Sequence, residues 1–161
     1  KTLDEIFKHT LKDIYYAETA LTKALPKMAS AAGHADLKQA FTHHLEETRG
    51  QIKMLDKVFA SVGEKAAGEK CDAIEGLIKE ADGLMKEATG AALDAALIGA
   101  AQAVEHYEIA RYGTLREWAK ELGHAEAHDL LSQILDQEKA ANATLTGLAV
   151  KSVNIVKSKA A

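Results

Sequence analysis

The stretch Ile98–Leu122, IGAAQAVEHYEIARYGTLREWAKEL, decides the architecture. Ile98, Ala101, Glu105, Glu108, Tyr112, Leu115, Ala119 and Leu122 recur at alternating steps of three and four. That is the seam of a helix turned toward a bundle core. Glu105 and Glu108 stand in the middle of it, at i and i+3, and so share a face. An ionised carboxylate in such a core costs several kcal/mol unless something compensates it. The stretch predicts a long core helix, from about Leu93 to a stop at Gly123, that carries acidic residues for a reason.

Three further long helices follow from the same periodicity. Thr2-Leu3-Asp4-Glu5 has the form of a capping box and opens the first, whose seam is Leu11, Ile14, Glu18, Leu21, Leu25 and Met28. Pro26 predicts a kink and Gly33 a stop. Asp36-Leu37-Lys38-Gln39 signals a second start, and that helix runs to Val62 before Gly63. It carries two adjacent stripes. One is Phe41, Leu45, Thr48, Ile52, Leu55, Phe59 and Val62; the other is Ala40, His44, Glu47, Gln51, Met54 and Val58. A polar loop over 64–70 leads to a shorter amphipathic helix over 72–87, which Thr89-Gly90 breaks. The last helix runs from about Glu126 to Val153 with the seam Ala127, Leu131, Ile134, Glu138, Ala141, Leu145 and Leu148, followed by a frayed tail.

Four long helices, with one long connection carrying a short helix between the second and third, make the element pattern of a ferritin-like four-helix bundle. The expected class is therefore all-α, as a single domain over 1–161. Composition agrees: 161 residues are one domain's worth, 47% are apolar, 5% aromatic, and Pro26 is the one proline. A net charge of −4 leaves no electrostatic footprint for nucleic acid. The longest uncharged stretches, Ala95–Val104 and Ala140–Val150, are short of the ~20 apolar residues a membrane span needs. Cys71 is the single cysteine, which excludes an internal disulfide and fits a cytoplasmic setting.

Each long helix thus places a glutamate on a core-facing stripe: Glu18, Glu47, the pair Glu105 and Glu108, and Glu138. Five converging carboxylates repel one another, and two divalent cations would satisfy them all. Dinuclear sites of this kind take a Glu from each of two helices and a Glu-x-x-His from each of the others. Here the imidazole half is displaced, since His44 precedes Glu47 by three residues and no His follows Glu47 or Glu138 at i+3. Oxygen-rich ligation favours two iron ions, or manganese, over zinc or copper. His44 is either a ligand or a hydrogen-bonded core histidine. Gln51 reads as a hydrogen-bond partner of a ligating carboxylate. For any one glutamate, ion pairing with a neighbouring base such as Arg49 or Arg111 is the plainer explanation; the convergence of five favours metal. Tyr15, Tyr16 and Tyr112 fall near the glutamates by helical spacing, as phenol partners of carboxylates or as electron relays.

Asp13-Ile-Tyr-Tyr-Ala-Glu18, His44-Leu-Glu-Glu-Thr48, Cys71-Asp-Ala-Ile-Glu-Gly-Leu-Ile78, Val104-Glu-His-Tyr-Glu-Ile109 and Glu138-Lys-Ala resemble the YciF/YciE family of bacterial stress-associated proteins, over nearly the whole chain. The resemblance implies a ferritin-like fold and a homodimer. Gln137 and Asn142 replace the Glu and Asp that family members often carry. The expected function is that of a dinuclear iron or manganese protein reacting with dioxygen or hydrogen peroxide. Lacking a rubredoxin-type cysteine cluster, it would need an external electron donor. The alternative is a dimeric, metal-free helical stress protein.

Overall fold

In the computed structural model, which describes residues 1–155, five α-helices follow one another: α1 Leu3–Ala31, α2 Ala35–Ser61, α3 Asp72–Glu87, α4 Gly90–Glu121 and α5 Ala125–Leu148. A π-helical turn, Ala149–Val153, ends α5. No strand occurs among the described residues, and no helix there is long and apolar enough to cross a membrane. The tail beyond Ile155, with Lys157 and Lys159, lies outside the described residues.

The helix ends obey local chemistry. Thr2 Oγ1 accepts from the Glu5 backbone N–H while Glu5 accepts from the Thr2 N–H, a complete capping box. Gly63 (φ 72°) and Gly123 (φ 75°) end α2 and α4 in the left-handed conformation that glycine adopts without penalty. Helix α1 is continuous through Pro26, whose ring is exposed. Helix α2 starts at Ala35 rather than at an Asp36 cap, and no side chain caps it locally. Helix α1 stops at Ala31, just before Gly33, as expected; Gly33 has no positive φ and is small because Asp94 of α4 lies against it, where an added Cβ would stand 3.3 Å from Asp94 Oδ2.

That aspartate is the staple of this corner. Asp94 accepts the Gly33 N–H at 2.7 Å and the His34 N–H at 2.9 Å, satisfying two donors at the entry to α2. The long helices then pack in a ring, α1 on α2, α2 on α5, α5 on α4 and α4 on α1. Cross-helix pairs set the directions. Gly33 meets Asp94 and Glu18 meets Tyr112, so α1 and α4 are antiparallel; Gln102 meets Thr146 across α4 and α5. The long crossover through α3 therefore carries the chain from α2 to the diagonally opposite α4, which runs parallel to it. Helix α3 packs outside against α4 and α1.

One continuous core fills the ring, with Phe7, Leu11, Ile14, Leu37, Leu55, Phe59, Leu97, Leu115 and Leu131 fully or almost fully buried. Each such side chain contributes roughly 1.5–3 kcal/mol. The polar exceptions in this core make the site.

Candidate metal centre

The heptad seams carry acidic side chains into the middle of the bundle. On α1 the buried face reads Leu11, Ile14, Glu18, Leu21, Leu25; on α4, Ala101, Glu105, Glu108, Tyr112; on α5, Leu131, Ile134, Glu138, Leu145. Glu18, Glu108 and Glu138 are wholly buried and Glu105 nearly so. On α2 the buried line runs between the two stripes: Leu37, Phe41, His44, Thr48, Gln51, Leu55, Val58. That line also steps by three and four, and it places His44 and Gln51 inside. Glu47 falls on its flank, with 23% of its side chain exposed.

The ligand-capable atoms of His44, Glu105, Glu108 and Glu138 all lie within 4.8 Å of one another, and all four residues are buried. His44 Nε2 is 2.8 Å from Glu105 Oε1 and 3.7 Å from Glu138 Oε2. The remaining expected residues border this group. Glu18 accepts a 2.5 Å hydrogen bond from the Tyr112 hydroxyl and adjoins Glu108. Glu47 lies 3.5 Å from His44 Nδ1 and 3.4 Å from the exposed His43. Gln51 donates to Gln137 at 3.1 Å and so ties α2 to α5 beside the cluster; its hydrogen bond goes to that amide and to no glutamate.

Ion pairing with arginine does not account for the glutamates. Arg49 pairs with Glu46, and the Arg111 guanidinium lies 5.4 Å from the centre of the Tyr107 ring. Tyr15 and Tyr16 turn to Asp56 and Glu75, which leaves Tyr112 as the tyrosine at the cluster. Both carboxylate oxygens of Glu108 and of Glu138, with Oε2 of Glu18 and of Glu105, are buried without a hydrogen-bond donor.

Protons take up the strain in the protein alone. Burial drives Glu18 up to about 7, against the relief given by the Tyr112 hydroxyl. Burial, with repulsion from Glu138, Glu18 and Glu105, holds Glu108 well above the usual carboxylate range. Glu138 is raised in the same way, first by burial and then by Glu105. Burial alone would lower His44, but Glu105 and Glu47 override it and push it up to about 11. Glu105 answers in the opposite sense: burial raises it, and Glu138 and His44 bring it below its ordinary value. The pair His44–Glu105 is thus ionic, and protons sit among the other carboxylates.

Asp94 is the buried acid that inspection of the seams passes over. It stands one turn before Ile98 on the same face of α4 and would be found by extending that seam backward. Cys71, at the entry of α3, lies 3.0 Å from the Tyr107 hydroxyl.

A helical bundle with a buried His/Glu cluster that could hold a metal ion is the class of protein this geometry defines. The chain belongs to the YciF family: residues 2–157 match the family model described as "Domain of unknown function (DUF892)". It is 49% identical to Protein YciF of Escherichia coli strain K12 over 156 residues, 96% of this chain and 94% of that protein. The crystal structure of that E. coli stress protein superposes with a TM-score of 0.93, covering 97% of this chain and 99% of the other. YcfI from Rhodopseudomonas palustris is 54% identical with a TM-score of 0.89, over 91% and 94% of the two chains. A Xanthomonas campestris protein at 23% identity shares the fold, with a TM-score of 0.74 over 95% of each chain.

Proposed function

We propose that this chain is a ferritin-like dinuclear metal protein of a bacterial stress response, with two iron or manganese ions held among Glu18, Glu47, Glu105, Glu108, Glu138 and His44. One observation carries the reading: six buried carboxylate oxygens from three helices lack any hydrogen-bond donor, and the imidazole among them supplies only one neutralising charge. The donor set fits divalent cations, since hard oxygen ligands with a single nitrogen suit iron and manganese. The up-down-down-up course of the four long helices supports the ferritin-like class. Such a centre, when loaded, supplies redox chemistry toward dioxygen or hydrogen peroxide, with electrons from an external donor.

The chain's own residues prepare the site. Glu108 and Glu138 face each other from α4 and α5 and would help hold the metal. Glu18 is oriented from α1 by Tyr112, and His44 is oriented from α2 by Glu47 and Glu105. Protons held by Glu18, Glu108 and Glu138 would leave as metal enters.

The test is metal content. Protein purified without chelators and loaded anaerobically with ferrous iron should retain about two ions per chain by mass spectrometry. Glu138→Ala should lose them, while Glu46→Ala, on the exposed face of α2, should not. Unchanged content in Glu138→Ala would sink the reading. A metal-free helical stress protein is the second reading; the His44–Glu105 ion pair and the Tyr112–Glu18 hydrogen bond favour it, because they balance part of the buried charge without a cation.

A further inference from the structure

The cluster is not sealed on every side. A pocket of about 110 Å³ opens beside it between α2 and α5. Its buried floor is formed by Phe41, Ala101, Leu145, His44 and Glu105, and its exposed mouth carries His43 and Thr144. The cause lies in the seams. At this level α2 offers Ala40, α4 Ala101 and α5 Ala141, each with a large apolar residue one turn away on one side (Leu37, Ile98, Leu145) and a polar residue of the cluster on the other (His44, Glu105, Glu138). Close packing is the rule in protein interiors, so small residues from three helices at one level leave room.

The pocket has a polar end. Glu105 lines it, is almost wholly buried, and its Oε2 has no hydrogen-bond partner. His44, His43, Glu47 and Thr144 add polar edges, and the rest of the wall is aliphatic or aromatic carbon. Anions are disfavoured beside Glu47 and Glu105, and a large cation would lose its hydration against alanines and leucines. An engineered apolar cavity of about 150 Å³ takes up benzene or xenon, which sets the scale of what fits.

We propose that this pocket binds a small, uncharged, largely apolar molecule, no larger than benzene, and presents it to the His44–Glu105 edge of the cluster. The presentation rests on the metal reading above; the binding does not. Dioxygen and a small organic substrate share this chemistry, and two probes separate them.

The metal-free full chain is titrated with xenon, followed by xenon NMR, and with benzene, followed by the methyl shifts of Leu25 and Leu145. Binding is expected to move those methyls. Ala141→Phe on α5 and Ala40→Leu on α2 fill the pocket from opposite walls and should each weaken binding at least tenfold, with helicity and iron retention kept. Xenon alone assigns the pocket to a diatomic gas, and benzene as well assigns it to an organic molecule. No shift at Leu25 and Leu145 with either probe overturns the proposal, and so does binding that survives both substitutions. The methyl shifts locate the ligand in the unsubstituted protein, so the result does not hang on either variant folding. Probe binding without iron retention would remove the metal reading and leave the pocket.

Discussion

Tyr112 reaches from α4 to donate its hydroxyl proton to Glu18 Oε1 on α1 at 2.5 Å, with both side chains fully buried. The bond crosses the bundle at the level of the cluster and gives Glu18 the single donor it has. In metal-free protein, Tyr112→Phe removes that donor and leaves the buried carboxylate beside the other acids of the cluster. The expected cost is about 1–3 kcal/mol, the penalty of an orphaned buried polar group. Because the hydroxyl holds Glu18 down, the substitution raises Glu18 further above 7 and the cost grows with pH. Urea denaturation at two pH values reads both effects, and an equal loss at each would separate Tyr112 from the charge of Glu18.

Asp94 fastens the α1–α2 corner to α4 through two backbone N–H groups. Asp94→Ala leaves both donors unpaired and opens the space that Gly33 vacates. A loss of about 1–3 kcal/mol is expected, with Asp94→Asn milder because one acceptor oxygen remains. Hydrogen exchange at Gly33 and His34 should speed up in step with the loss. Unaltered exchange there would mean that other contacts hold the corner.

Two glycines should respond to alanine with opposite signs. A Cβ on Gly68 would come within 3.2 Å of the Tyr16 Cα, a backbone atom that cannot step aside, so Gly68→Ala should destabilise the docking of the crossover on α1. Gly76, exposed in the interior of α3, has open space around it. Gly76→Ala should raise stability by about 0.5–1 kcal/mol through helix propensity. Thermal melts of the two variants check the pair together.

The burial of Glu18, Glu105, Glu108 and Glu138 was legible because each stands in a three–four seam whose other members are plainly apolar. Helix α2 was harder. Its two stripes are both apolar enough to face inward, and α1 and α5 flank it on two sides, so the buried line runs between them. That choice depends on the neighbours' positions, which one helix's periodicity does not contain; it decides that His44 and Gln51 are interior and that Glu47 is at the edge. The Asp94 staple was hidden for a related reason. Its partners are backbone N–H groups about sixty positions away, and neither Gly33 nor His34 advertises them. Gly33 follows the end of α1 as its sequence position suggests, but small size, not conformational freedom, is what that corner demands.

The charges of the cluster predict how stability of the metal-free protein depends on pH. Unfolded, its glutamates titrate near the ordinary value of 4.5; folded, burial raises Glu18 to about 7 and Glu108 and Glu138 well above the usual range. The folded state therefore keeps protons that the unfolded chain has lost, and stability falls as pH rises from about 4.5 through these higher values. His44 acts with the same sign, since its contribution is complete below 6.5 and is lost as pH climbs toward about 11. Glu105, held below its ordinary value, opposes them only at acid pH: its contribution is present above 4.5 and is lost below it. Between about pH 5.5 and 8.5 the melting temperature of metal-free protein should thus decline, with each retained proton contributing on the order of 1 kcal/mol per pH unit. Glu108→Gln keeps the shape and removes one such group, so its melt should be higher at pH 8.5 and its slope shallower. Ferrous iron, by replacing the protons, should flatten the slope of the unsubstituted protein and leave that of Glu138→Ala almost unchanged. A metal-free melting temperature that holds level or rises over this range would mean that the buried glutamates are neutralised by something other than protons.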